Sequence, residues 1–474
     1  MPDRHLLKMG CALALTATAA ALLVAKQSPP TPAPIISLNV AAFDGQGQPV
    51  QDLRAEDIQV VDNGKPLPVV WLRSLSAKTP EPRATFILID LLNDDFQSRG
   101  LTENEVTQAL AKAGSGTNIY LYLLTPKGAI FPVHGVETSS ASGGDGQWTQ
   151  HVKTSLDEAL RQVDGLKSGN LLDPIHRIGP TWRALSQIEG QLAQVPGPKS
   201  FVWITQGVLN GFVMPDYSHQ FWQNVTPLRD FSDVLNALGT AIYTVQQKPD
   251  GSLELDNTGS FGDTLNQLSA LTGGQSFTTD STSRAIAQAM SGVERVNYRL
   301  GFSPQKVDGK FHKIHLTSTR SDVKFQTADR YYGSGADSGV NLTARDPATM
   351  LTGVLGDIGR SLFDFPEIGV GATLSNSTLT IHLDGHDALF LQEGPRYKAE
   401  LSVVITESGA KFGVRSTGPL AINLDLGEDG HAKALTDGID IPRAIDAGTQ
   451  QVRVTVLDHN SYLVGTATIP TARN

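Results

Sequence analysis

Cysteine is almost absent from this chain of 474 residues: the single one is Cys11. It sits at the start of an uncharged apolar run, Met9 to Ala25, and not at the end of that run, which argues against a lipoprotein anchor. Once that segment is removed no thiol is left, which excludes disulfides, thiol catalysis and Cys-ligated zinc together. Basic runs are missing too. No stretch of five or more Lys or Arg occurs and the net charge is -10, so a nucleic-acid backbone is a poor partner. There is no Gly-x-Ser-x-Gly elbow, and no Ser, His and Asp follow one another in an order that places them around one strand end. Gly197-Pro198-Lys199-Ser200 precedes a strand, whereas a phosphate loop opens a helix.

What is present begins with an export signal. Arg4 and Lys8 precede the apolar run, Leu23-Val24-Ala25 offers a small-residue cleavage site, and Ser28 to Pro34 is a proline-rich linker. The shortness and Ala-rich composition of the run favour cleavage; if uncleaved, it tethers the chain to the membrane. The expected location is the periplasm, the cell envelope or the exterior.

Past residue 34 three patterns follow. Residues 35–78 contain short alternating strands, with Asn63-Gly64 as a tight hairpin turn, and form a small β unit or strands appended to the next domain. Residues 82–333 alternate strands and helices. Thr85 to Ile89, Asn118 to Leu124, Ser200 to Ile204 and Ala241 to Val245 are the strands; helical spacing marks Leu185, Ile188 and Leu192, then Phe231, Val234 and Leu235, then Leu265, Leu268 and Leu271. Such alternation predicts an α/β domain with a doubly wound, mostly parallel sheet. Phe311 to Leu316 adds a strand near its end. Residues 341–474 return to strands, expected as a C-terminal β-sandwich, with a short helix at Thr352 to Arg360.

Several short stretches occur in a fixed order: Gly47-Gln48-Pro49-Val50 leading to Glu56-Asp57, Val61-Asp62-Asn63-Gly64, Ile89-Asp90-Leu91-Leu92-Asn93, Gly197-Pro198-Lys199-Ser200, Leu271-Thr272-Gly273-Gly274, and Tyr298-Arg299-Leu300-Gly301-Phe302. Their order resembles the VWFA-related family of the acidobacterial type. The resemblance implies a von Willebrand A-like fold and an envelope location more than a reaction. It also implies a place for a divalent cation above the strand ends, held by an Asp-x-Ser-x-Ser loop, a Thr and a later Asp. Here Asp90 matches, Leu92 removes one oxygen, Asp94 replaces the second Ser, Thr181 lies two residues from the expected Thr, and Gln206 stands near the later Asp position. Asp90, Asp94 and Asp95 are the candidate ligands of a degenerate site, and oxygen ligands of this kind suit Mg²⁺ or Ca²⁺. Otherwise no cofactor is expected.

Other residues are weaker candidates. His312 and His315 lie three apart on a strand and point to opposite faces, so they cannot chelate one ion. His382, Asp384 and His386 read as a hairpin end around Asp384-Gly385. The segment Asn210 to Trp222 carries Phe212, Tyr217, Phe221 and Trp222, an aromatic set unusual for a connection; with Asn93, Thr181 and Gln206 it makes the candidate binding surface. The expected function is protein–protein binding or assembly in the envelope, through an unidentified protein partner. The alternatives are a metal-assisted hydrolase using the acidic cluster and a passive structural protein.

Overall fold

The computed structural model describes residues 35–75, 82–93, 105–109, 118–136, 154, 157–158, 161, 174–207, 225–246, 259–278, 282–305, 308, 310–333, 347–375, 377–446 and 448–471. Strands β1 (Ile36–Phe43), β2 (Ile58–Asp62) and β3 (Lys65–Ser74) come first. β2 and β3 form a hairpin in which Asp62 faces Lys65. Asn63 and Gly64, at φ 45° and 86°, make the turn between them, and both angles lie where Asn and Gly are tolerated.

Next come β4 (Ala84–Asp90), β5 (Asn118–Leu124), β6 (Ile130–His134), α1 (Pro174–Ala193), β7 (Lys199–Thr205), α2 (Val225–Ala237), β8 (Thr240–Gln246), α3 (Gly259–Thr272), β9 (Ser276–Thr278) and α4 (Thr282–Arg295). They build a six-stranded sheet of order β6-β5-β4-β7-β8-β9. Every residue of β4 and of β7 is buried, because apolar layers cover both faces. Phe86 and Leu88 point to one core with Leu185, Ile188, Phe231 and Leu268; Ile87 and Ile89 point to the other with Ile286 and Ala289. This is why these strands are unbroken apolar runs.

After α4 the chain leaves that sheet. β10 (Tyr298–Phe302), β11 (Phe311–Ser318), β12 (Lys324–Gln326) and β13 (Arg330–Tyr332) join the first three strands in a seven-stranded sheet of order β12-β1-β10-β3-β2-β11-β13. β10 inserts between β1 and β3, with Leu300 opposite both Leu38 and Leu72. The strands of residues 36–74 are thus completed by strands more than two hundred residues later. Gly301 is required here, since a Cβ on it would fall 2.0 Å from Nε1 of Trp71.

The remainder is α5 (Pro347–Ile358), β14 (Val370–Ser375), β15 (Thr378–Leu383), β16 (Leu391–Glu393), β17 (Arg396–Gly409), β18 (Gly413–Leu426), α6 (Glu428–Asp437), β19 (Ile439–Ala444), β20 (Gln451–Asp458) and β21 (Val464–Pro470). A three-stranded sheet, β14-β15-β19, faces a five-stranded one built on β17 and β20, and Leu379, Ile381, Val403, Val454 and Val456 fill the space between. α5 carries Leu351, Leu355 and Ile358 into the core shared by α1, α2, Val404 and Leu457, so it fastens this region to the six-stranded sheet.

The expected fold class is corrected by these pairings. Parallel pairing is confined to β5-β4-β7-β8-β9, and all other pairings among the described residues, in four sheets, are antiparallel. The chain is a mostly antiparallel β protein, not a von Willebrand A-like, doubly wound, mostly parallel α/β protein. The physical reason is that strand–helix alternation reports only local periodicity. It cannot reveal that β10 to β13 leave the helical layer and pair with β1 to β3. Among the described residues no helix is long and apolar enough to cross a membrane.

Candidate functional site

The carboxyl end of β4 places Asp90 between β5 and β7, fully buried. Its Oδ1 accepts the backbone amides of Leu92 and Asn93, at 3.0 and 2.9 Å. Its Oδ2 accepts Asn93 Nδ2 at 2.8 Å, Trp203 Nε1 at 3.2 Å and Thr205 Oγ1 at 2.8 Å. The network continues outward. Asn93 Nδ2 also donates to Thr181 Oγ1 at 2.8 Å, Thr181 donates to the carbonyl of Arg177, and the amide of Gly207 donates to Thr205 Oγ1. Burial pushes the Asp90 carboxyl above the ordinary carboxylate range, while the hydrogen bonds from Asn93, Thr205 and Trp203 pull the other way.

Five donors converge on two oxygens, which uses the acceptor capacity of a carboxylate. A divalent cation at Asp90 would have to displace several of them. Among the described residues no group of three or more His, Asp, Glu or Cys is arranged to hold one. Asp90, Asn93 and Thr181 are brought together, but as buried members of one network. Gln206 lies partly exposed beside it. Asp94, Asp95, Phe212, Tyr217, Phe221 and Trp222 lie outside the described residues.

Three further polar clusters were not read from the sequence. Arg299, buried on β10, donates to Glu367 Oε1 at 2.6 Å and to the carbonyl of Ala237 at 2.7 Å, while Glu367 Oε2 accepts the amide of Val464 at 3.0 Å. This one ion pair ties the seven-stranded sheet to α2 and to the C-terminal strands. Burial raises the pKa of Glu367, but the charges of Arg299 and Arg73 outweigh it and hold the carboxyl below its usual range. In the second cluster, His312 Nδ1 meets Asp62 Oδ1 at 3.1 Å and its Nε2 meets Asp308 Oδ1 at 2.9 Å, with Tyr331 stacked on the ring. Burial lowers the pKa of His312, but the two carboxylates more than compensate and raise it. With both nitrogens engaged, the ring is a tie and not a base. The opposite-face reading of His312 and His315 agrees with the burial of the first and the exposure of the second.

The third cluster has the outline of a triad. Ser402 Oγ lies 2.8 Å from His459 Nε2, and His459 Nδ1 lies 3.6 Å from Glu400 Oε1. Ser402 is 3% exposed in the middle of β17, paired on both sides with β18 and β20. The ladder uses the surrounding amides, leaving none for a developing oxyanion, and no substrate reaches the hydroxyl. Glu400 and Ser402 share a strand face and were within reach of a period-two reading; His459, from the end of β20, was not. A turn follows Asp384, with its Oδ1 accepting the amide of His386, but it is not the expected hairpin end: β15 pairs with β14 and β19, and β16 with β17.

No protein-family profile and no curated protein sequence matches the chain. Among solved structures it is similar to proximal thread matrix protein 1 from the mussel byssus, at 12% identity over 46% of this chain and 47% of that one, with a TM-score of 0.26. An aerotolerance-related membrane protein from Bacteroides fragilis NCTC 9343, carrying multiple mutations to serines, aligns at 14% identity over 44% of this chain and 98% of its own, with a TM-score of 0.27. The pilus adhesin SpaC from Lactobacillus rhamnosus GG, in its open conformation, aligns at 8% identity over 88% of this chain and 56% of its own, with a TM-score of 0.30. The chain spans about half the length of the mussel and pilus proteins. At these TM-scores the superpositions do not define a shared fold.

Proposed function

We propose that this is an exported envelope protein that acts by binding another protein and not by catalysis. The observation that supports this is the saturation of Asp90. Among the described residues, Asp90 is the buried carboxylate at the carboxyl ends of the parallel strands, and it already accepts five hydrogen bonds, which leaves it no free lone pair for a base or a metal ligand. A hydrolase built on it would need a cation or a water where Asn93 and Thr205 now sit. The same network ties the carboxyl ends of β4 and β7 to each other and to α1. Export rests on the N-terminal signal read from residues 4–25.

The test pairs two assays on the full chain. Cross-linking of the epitope-tagged protein in intact cells is expected to give discrete high-mass adducts. A panel of ester, peptide and phosphodiester substrates, with Mg²⁺, Mn²⁺ or Ca²⁺, is expected to show no turnover. Metal-dependent turnover that disappears in Asp90→Ala, with no adducts in cells, would overturn the reading in favour of a hydrolase.

A further inference from the structure

One face of the seven-stranded sheet is covered over only half its width. On β10 and β3 it carries Arg299, Gly301, Trp71 and Arg73, which are packed against α2 and the C-terminal strands. The same face continues outward across β2, β11 and β13, where Gln59, Pro66, Pro68, Phe311, Lys313, His315 and Arg330 are exposed among the described residues, while Tyr332 is half-buried and β13 runs beside α3. Strand register fixes what it displays. Pro66 lies opposite Val61, which lies opposite His315; Pro68 lies opposite Gln59, which lies opposite Thr317. Beyond them Lys313 lies opposite Arg330 and Phe311 opposite Tyr332. Side chains directly opposite share a face, so these residues form one continuous surface. The other face of the same strands carries Asp62, His312, Ile314 and Tyr331, all buried.

Two features of this surface need explaining. The chain has 48 acidic residues against 38 basic ones, yet no Asp or Glu stands among these opposed pairs; the acids near them, Asp308 by Tyr332 and Asp329 by Arg330, sit at the edge of the face. Lys313 and Arg330 oppose each other directly, an arrangement that costs stability in an antiparallel pair. Among the described residues Lys313 has no carboxylate within ion-pair distance, and Arg330 reaches only its exposed neighbour Asp329, at 3.8 Å. Beside the two cations, Phe311 is 39% exposed and meets the half-buried Tyr332 edge to face at 5.1 Å. A cationic pair flanked by the exposed ring of Phe311 and by the side chains of Val61, Pro66 and Pro68 complements a ligand that is both anionic and apolar.

We propose that this face of β3, β2, β11 and β13 is the docking surface for an acidic polypeptide segment carrying interspersed apolar side chains. The proposal rests on the reading of the chain as a binding protein and names the surface and the chemistry of the partner. The apolar members decide between anions. A polyphosphate or a sulfated glycan satisfies Lys313 and Arg330 but gives Phe311, Val61, Pro66 and Pro68 nothing to pack against. A Glu- or Asp-rich peptide with Val or Leu between the acids satisfies both.

The experiment is fluorescence anisotropy on the full chain with a labelled peptide of about ten residues, an ordinary upper strand length, in which Glu and Val alternate. Binding is expected to weaken with added salt and to be absent for the same peptide with Lys in place of Glu. The double variant Lys313→Glu, Arg330→Glu is expected to lose about tenfold or more in affinity with an unchanged melting temperature. Phe311→Ser, which leaves the charge alone, is expected to lose less. Equal binding by inorganic polyphosphate, with the same dependence on the two cations and none on Phe311, would assign the surface to polyanions. Peptide binding indifferent to all three substitutions, or no peptide binding at all, would remove the surface. If adducts still form in cells in that case, the binding function stands and only its location is wrong.

Discussion

Two buried carboxylates hold this protein together in opposite ways. Asp90, at the end of β4, is surrounded by neutral donors, and burial drives its pKa up. Glu367, at the junction of the seven-stranded sheet, α2 and the C-terminal strands, faces Arg299 and Arg73, whose charges drive its pKa down. The partners of Asp90 come from its own turn (Leu92 and Asn93) and from the adjacent strand (Trp203 and Thr205). The cationic partners of Glu367 come from strands 68 residues and more away in sequence. The first carboxylate organises one strand end; the second joins three parts of the chain. A buried acid satisfied by neutral donors leaves no charge behind when it is replaced, whereas one paired with Arg strands its partner.

The comparison is broken or sharpened first by Glu367→Gln. It leaves Arg299 buried without a counter-charge and is expected to cost on the order of 3–5 kcal/mol in urea unfolding. The double change Arg299→Met, Glu367→Leu is expected to restore a large part of it. A loss for Glu367→Gln no greater than that of a surface substitution would mean that the junction is held by apolar packing alone. Asp90→Asn turns an amide toward donors and is expected to cost about 2–3 kcal/mol, with the same melting temperature with and without Mg²⁺ or Ca²⁺. Cation-dependent stabilisation of the wild type that is lost in Asp90→Asn would reopen a metal site.

Acid titration separates the two acids by sign. The lowered pKa of Glu367 makes its contribution present above 4.5 and lost as pH falls through its folded value. The raised pKa of Asp90 makes its contribution present below 3.8 and lost as pH rises through its folded value. The penalty of Glu367→Gln should therefore shrink on acidification while that of Asp90→Asn grows; parallel slopes would contradict the assignment. The smallest expected effect is that of Trp203→Phe, which removes one of five donors to Asp90 and should cost about 1 kcal/mol by thermal melting.

Much of the local structure was legible. The apolar run before Asp90 is β4, Asn118 to Leu124 is β5 residue for residue, the Asn63-Gly64 turn closes its hairpin, and α5 covers most of the expected helix after Thr352. Each is an element whose apolar period or turn residues are contiguous in sequence. α6 lies where no helix was expected, because its ten residues bury just Ala434 and so carry almost no periodic apolar signal. At the candidate site Asp90, Asn93 and Thr181 were singled out, yet as ligands or surface. The donors that saturate Asp90, Trp203 and Thr205, come from β7 and enter only when β4 and β7 pair.

By itself the sequence determined that no intrachain disulfide can form and where many of the strands and helices lie, since these depend on composition and short-range period. Tertiary structure alone decided that β10 completes the N-terminal strands, that Arg299 meets Glu367, and that Lys313 and Arg330 oppose each other on one exposed face. These are pairings between distant segments, and strand register, which no local pattern encodes across such distances, is what brings them together.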